Sequence, residues 1–257
     1  MIPIGDENPT LRPPVVTFAL LFLLFATWIV GQRAGFDMQH FAMSVCEYGM
    51  VPGELTRLAA LGTSVPLGAG LACVVDDLAI NKLTPVTSMF LHGGWGHLLG
   101  NALFFWVFGN NVEDSMGRVR FLAFYLLCGL AAAAAHVMLN PASPVPTVGA
   151  SGAISGILGA YLVLYPRVRV KMLFYFLIFF KVIPIQAWLV LLWWFLWQVV
   201  SGLPELSRVN PDVSGGVAVW AHVGGFVTGV ALVKVFESRR LVAVRTAERH
   251  RLHPGHP

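Results

Sequence analysis

Val15 to Gly31 is a run of seventeen residues without a charge, opened by Pro13-Pro14. Five further apolar stretches follow, within Thr84–Asn110, Phe121–Leu139, Ser151–Tyr165, Gln186–Gly202 and Val217–Phe236. A helix needs about 17 to 25 largely apolar residues to cross the hydrocarbon of a bilayer. Only helices and closed barrels satisfy their own backbone polar groups there. Charged residues are 12% of the 257 positions, where a soluble chain carries about 25%. Mean hydropathy is +0.71. The pattern predicts an all-α membrane protein, a bundle of six transmembrane helices in one domain over residues 1–236. A basic, disordered tail is expected over residues 237–257.

The connections refine this reading. Leu58–Ile80 is apolar enough to mimic a span, but Gly62, Pro66, Gly68, Gly70, Asp76 and Asp77 interrupt it, so it is expected to lie at the interface against the bundle. Val170–Ile185 carries Lys171, Lys181 and Pro184 and reads as a connection. Met1–Pro14 lacks a basic start and a small-residue cleavage site, so the first helix is expected to be retained. With six spans, both termini share one side. Thirteen Lys and Arg fall on that side and four, Arg33, Arg57, Lys82 and Arg208, on the other. This bias predicts a multi-pass protein of the cell's inner membrane with both termini cytoplasmic. It also assigns the basic pI of about 9.2 to topology and anionic lipid, with no nucleic-acid partner. Three cysteines make neither a zinc site nor a disulfide framework. Cys128 falls mid-helix and reads as core. Cys46 and Cys73 share one long loop and either pair, if it faces an oxidising space, or stay free.

Polar side chains inside apolar spans are costly and mark packing, pathways or chemistry. Ser151, in Gly149-Ala-Ser-Gly152, follows a proline-rich loop and opens a helix whose first N–H groups lack intrahelical partners. Those N–H groups suit an oxyanion forming at a carbonyl that Ser151 attacks; equally, serine is a favoured N-cap. His222 lies in Ala-His-Val-Gly-Gly-Phe-Val-Thr-Gly, with Gly225 and Gly229 nearly on its face. Gly152, Gly156 and Gly159 offer a matching small face, and close helix packing would bring His222 to Ser151. No acid stands near either, so the implied device is a dyad. His97 and Asn101, at i and i+4, share a helix face and suit oxyanion donors or interhelical hydrogen bonds. His92 reads as structural support and His136 as interfacial. Ser155, one turn below Ser151, reads as packing.

His-x-x-x-Asn, Gly-x-Ser-Gly and Ala-His-x-x-Gly on the second, fourth and sixth apolar stretches resemble the rhomboid family of intramembrane serine proteases. The resemblance runs from Ile2-Pro-Ile-Gly-Asp-Glu-Asn-Pro9 to the sixth stretch and includes Glu113-x-x-x-Gly117. It implies a rhomboid-like six-helix bundle, no cofactor, no metal, and single-pass transmembrane protein substrates cut near the outer membrane face. Ser151 matches the nucleophile, His222 the general base, and His97, Asn101 and Ser151 the oxyanion site. His92, Gly149, Gly152, Gly225 and Gly229 match supporting positions. Two departures stand out. The Trp-Arg pair of many rhomboid first loops is absent from Gln32–Leu83, and Ser155 stands where an aromatic often stacks on the histidine. A non-catalytic rhomboid relative that binds membrane clients is the alternative; both Ser151 and His222 are present.

Overall fold

Apolar helices dominate the computed structural model, which describes residues 2–68, 70–176, 179–206 and 218–252. Strand β1 (Ile2–Asp6) precedes helix α1 (Val15–Ala26), which runs on through a π-helical turn to Gly31. The next connection holds α2 (Met38–Tyr48), α3 (Pro52–Thr56), the hairpin β2 (Ser64–Gly68) and β3 (Leu71–Val74), and α4 (Thr84–Thr87). α5 (Trp95–Phe104), a π-helical turn over Phe105–Gly109 and α6 (Asn110–Met116) form one helical path that ends at Gly117, φ 82°. Then come α7 (Arg118–Leu139), α8 (Ser151–Leu164), β4 (Arg169–Phe176), β5 (Phe179–Gln186), α9 (Ala187–Leu206), α10 (Val219–Phe236) and α11 (Arg239–Leu252).

Among the described residues, α7 and α10 are long and apolar enough to cross a membrane unaided; Val15–Gly31, Ser151–Leu164 and Ala187–Leu203 are shorter apolar helices. α10 packs along both α7 and α8. The core they share buries Trp28, Leu98, Phe105, Phe121, Tyr125, Ile157 and Tyr161. The outward faces stay apolar, with Phe22, Val119, Met138, Trp193, Trp197 and Val235 exposed. An apolar surface of that extent belongs against lipid.

The expectation of a purely helical chain is corrected by two small antiparallel sheets. The stretch read as a connection forms β4 and β5, and β1 adds to β4. Val168, Val170 and Met172 are buried while Arg167, Arg169 and Lys171 are exposed, the period-two alternation of a strand. Leu58–Ile80 contains the hairpin β2–β3, with Val65, Cys73 and Val75 buried. A disulfide joins Cys73 to Cys46 on α2, settling the alternative the sequence left open. Cys128 is free and buried.

Of the stretch expected to be a disordered tail, residues 253–257 lie outside the described residues, and Arg239–Leu252 forms α11 instead. Its Arg245, 5% exposed, inserts beside α6. It pairs with Asp114 and donates to Asn111 Oδ1 (2.6 Å) and the Pro9 carbonyl (3.2 Å). Asp114 also accepts from Arg12 Nε (2.8 Å). The buried guanidinium is shared among a carboxylate, an amide and a carbonyl through its two terminal nitrogens; its Nε has no hydrogen-bond partner among the described residues. Neighbouring Glu113 accepts from the Val16 and Thr17 N–H groups (3.0 and 2.8 Å). It caps the unpaired first turn of α1 with negative charge. Arg208 lies outside the described residues.

Candidate active site

Ser151 is the first residue of α8, and the segment ahead of it is fixed from several sides. Met50 and Thr147 exchange backbone hydrogen bonds (2.9 and 2.8 Å), the Gly53 N–H donates to the Ser143 carbonyl (2.8 Å), and the Gly149 N–H donates to the Ser88 carbonyl (2.9 Å). The Thr147 hydroxyl lies 3.1 Å from His136 Nε2. His136, read as interfacial, is therefore buried and braces this loop. The region after α2 thus has anchors of its own without a Trp-Arg pair. Gly149 has φ 131°, and a Cβ there would come within 2.7 Å of His97 Nε2 and 3.5 Å of Ser151 Oγ. Glycine permits both the backbone angle and the approach of His97.

The small faces of α8 and α10 meet backbone to backbone. A Cβ on Gly225 would collide with the Gly152 carbonyl oxygen, and one on Gly229 with the Gly156 carbonyl. On the same seam, a Cβ on Gly159 would strike the Phe226 carbonyl. This contact sets His222, 7% exposed, with Nε2 at 2.7 Å from Ser151 Oγ. At the position of the often-aromatic residue, the Ser155 hydroxyl donates back to the Ser151 carbonyl (2.7 Å).

α5 contributes the other polar groups. The Gly93 N–H donates to His97 Nδ1 (3.3 Å), which places the proton of a neutral His97 ring on Nε2, the nitrogen that faces Gly149. His92, fully buried, packs edge-on against His97 with ring centroids 5.2 Å apart. Asn101 is buried, and its Nδ2 has no hydrogen-bond partner among the described residues. The structure therefore gathers Ser151, His222, His97 and Gly149, with His92 behind His97. Asn101 sits one turn along α5 and shares no described hydrogen bond with Ser151.

Two residues were not singled out from the sequence. Gln32 donates to the His92 carbonyl (2.9 Å) and accepts from its N–H (2.8 Å). Gln198 on α9 places Oε1 2.8 Å from His222 Nδ1. The signal for Gln198 was present, an amide within a tryptophan-rich apolar stretch; Gln32, at the end of the first stretch, carried none.

Comparison with known proteins bears on the family of the chain. A rhomboid-domain family model matches residues 81–239. Rhomboid protein 1, mitochondrial, of Saccharomyces cerevisiae is 26% identical over 187 residues, 67% of this chain and 48% of that protein. Rhomboid protease GluP of Bacillus subtilis is 45% identical over 80 residues, 31% of this chain and 15% of its own. Rhomboid-like protein 11, chloroplastic, of Arabidopsis thaliana is 29% identical over 153 residues, 58% of this chain and 50% of its own. The chain spans half or less of each of these relatives. With the domain match covering well over half its length, from α4 to the start of α11, this membrane-embedded helical chain belongs to the rhomboid family.

Proposed function

We propose that the chain is an intramembrane serine endopeptidase working by a Ser151–His222 dyad. The observation that carries the reading is the 2.7 Å approach of His222 Nε2 to Ser151 Oγ at a helix N-terminus. The hydroxyl proton passes to Nε2 as Oγ bonds to the substrate carbonyl carbon. The resulting oxyanion is held by N–H groups at the start of α8, by His97 Nε2–H and by Asn101 Nδ2. His222 then gives the proton to the leaving amine nitrogen as the C–N bond breaks, and water hydrolyses the acyl-enzyme by the reverse proton path. Nothing in these steps calls for a metal or cofactor.

The relative from Bacillus subtilis matched over 80 residues is named a protease, as is a second, the putative rhomboid protease YdcA, 38% identical over 77 residues. In this reading the apolar stretches make six spans in the inner membrane, with both termini cytoplasmic and Ser151 toward the outer face. Substrates are single-pass transmembrane proteins, unwound locally at Gly, Pro or other weak helix formers near the outer end of their span. The test is incubation of purified protein, in lipid vesicles, with a fluorophosphonate and with transmembrane substrates. Covalent labelling at Ser151 and cleavage lost in Ser151→Ala are expected. Labelling elsewhere, or cleavage by Ser151→Ala at the wild-type rate, overturns the proposal.

A further inference from the structure

A histidine that accepts a proton from serine must present a bare Nε2. A neutral imidazole carries one N–H, and the partner of the far nitrogen decides where it sits. Soluble enzymes commonly use a carboxylate there, but a carboxylate is expensive inside a membrane. Among the described residues, no carboxylate hydrogen-bonds His222; its two described partners are Ser151 Oγ and Gln198 Oε1. An amide oxygen at 2.8 Å from Nδ1 accepts the Nδ1–H and leaves the Nε2 lone pair for the Ser151 hydroxyl. It does so without a charge to desolvate.

The placement of Gln198 supports a specific role. Leu191, Trp194, Phe195, Gln198 and Gly202 form the inward stripe of α9, while Trp193, Leu196, Trp197 and Val200 point outward and are exposed. Gln198 is the one polar side chain on that stripe. A hydrogen-bonding amide on an apolar packing face is kept against its desolvation cost only where it finds a partner. The same helix brings Trp194, whose ring lies 6.0 Å from the His222 ring at a tilt of 36°. Ser155, where an aromatic might have stacked, is turned back onto its own helix. α9 therefore supplies both the amide on Nδ1 and the aromatic ring beside the imidazole.

We infer that Gln198 is a positioning residue: its Oε1 fixes the tautomer and the ring orientation of His222, so that α9 completes the dyad set by α8 and α10. The inference rests on the endopeptidase reading above. During turnover Gln198 keeps accepting the Nδ1–H while Nε2 gains and returns the proton, and it exchanges no proton itself.

The test compares wild type, Gln198→Leu, Gln198→Glu and Ser151→Ala as full chains in lipid vesicles. Three quantities are read: steady-state cleavage of a transmembrane substrate, the rate of fluorophosphonate labelling, and melting temperature. Leu removes the acceptor; Glu restores an oxygen at the same reach. Loss of the partner that orients a metal-bound histidine costs about 10- to 100-fold, and a loss on that scale is the expectation for Gln198. Gln198→Leu is expected to lower kcat by that factor with KM within about twofold. Labelling of Ser151, which needs the activated hydroxyl but no peptide substrate, is expected to slow by the same factor. Gln198→Glu is expected to recover most of both rates. Wild-type kcat and labelling in Gln198→Leu overturn the inference. So does a loss that tracks a lowered melting temperature and that Glu fails to rescue, because Gln198 would then be packing alone. Cleavage that persists in Ser151→Ala overturns the endopeptidase reading itself and takes this inference with it; Ser151-dependent cleavage indifferent to Gln198→Leu removes only the inference.

Discussion

The two ends of α8 are built on opposite plans. At the Ser151 end the polar groups are few and neutral: a hydroxyl, the imidazoles of His222 and His97, and the amides of Gln198 and Asn101. At the Tyr165 end charges crowd together and are matched. Tyr161 donates to Asp6 (2.5 Å), Asn111 donates to the same carboxylate (2.8 Å), and Asp114 takes Arg12 and Arg245. Ser115 and Tyr165 share a hydrogen bond, and Arg245 lies over the Tyr165 ring. The hydrogen bonds of this end tie β1 and α11 to α6 and α8, with Arg245 Nε left without a partner among the described residues. On the proposed reading, the sparse end holds the nucleophile, the base and an oxyanion donor. The paired charges thus gather at one end of the helix and the proposed chemistry at the other.

The largest effect that separates the two ends is loss of the dyad. Ser151→Ala and His222→Ala should each abolish cleavage, and the double variant should be no worse, because the two act as a unit. Melting temperature should stay near wild type in Ser151→Ala; a large drop would mean that the sparse end also carries stability. Gly225→Val comes next. It should force α10 away from the Gly152 carbonyl and cost about 10²-fold or more in turnover, since a 1 Å misplacement has that effect. Normal turnover in that variant would dissolve the link between seam and site.

At the other end the order reverses. Asp114→Ala leaves the buried Arg245 without its carboxylate and should cost about 3–5 kcal/mol of stability, read from denaturant unfolding. The folded fraction should keep a kcat within about twofold of wild type. The smallest effect concerns pH. Burial raises the Asp6 carboxyl from 3.8 to about 6. Between those values the folded chain holds a proton that the unfolded chain has lost, so Asp6 stabilises the fold most below pH 3.8 and this contribution is lost as pH rises to about 6. Melting temperature should show a component that falls over that interval and disappears in Asp6→Asn. A component that rises instead would mean that the hydrogen bonds from Tyr161 and Asn111 to the ionised carboxylate outweigh its burial.

Some of this was legible in the sequence, for reasons that differ by residue. Ser151, His222 and His97 stand out because a hydroxyl or imidazole in apolar sequence is conspicuous, and the glycine spacing on α8 and α10 announced a close seam. Gln198 did not stand out, because one amide among four tryptophans reads as tolerated polarity until a structure shows what it faces. The β4 strand was hidden by hydropathy: Arg167 to Met172 alternates charge with apolar bulk, which a window average turns into a featureless connection. α11 was misread for a related reason. Its composition is that of a solvated tail, and only the pocket made by Asp114, Asn111 and Pro9, distant in sequence, gives Arg245 somewhere to go. The Cys46–Cys73 bond depends on a hairpin that composition does not specify.

The seam between α8 and α10 has a consequence for how this protein can change. Most helix interfaces adapt by exchanging one bulky side chain for another, with a compensating change across the contact. Here a Cβ on Gly225 or Gly229 already meets a carbonyl oxygen of the opposite backbone, so there is no opposing side chain to shrink in reply. The dyad is thereby fixed in a part of sequence space with almost no neighbours. Under the proposed function, variation in the substrates accepted must come from elsewhere. α9 meets α10 through side chains, with Phe195 stacked on Phe226 at 4.5 Å beside the Gln198–His222 hydrogen bond, so away from Gln198 it is the helix where substitutions can be offset by substitutions. A library aimed at new substrates belongs on that face, with Trp194, Gln198 and the glycines held constant.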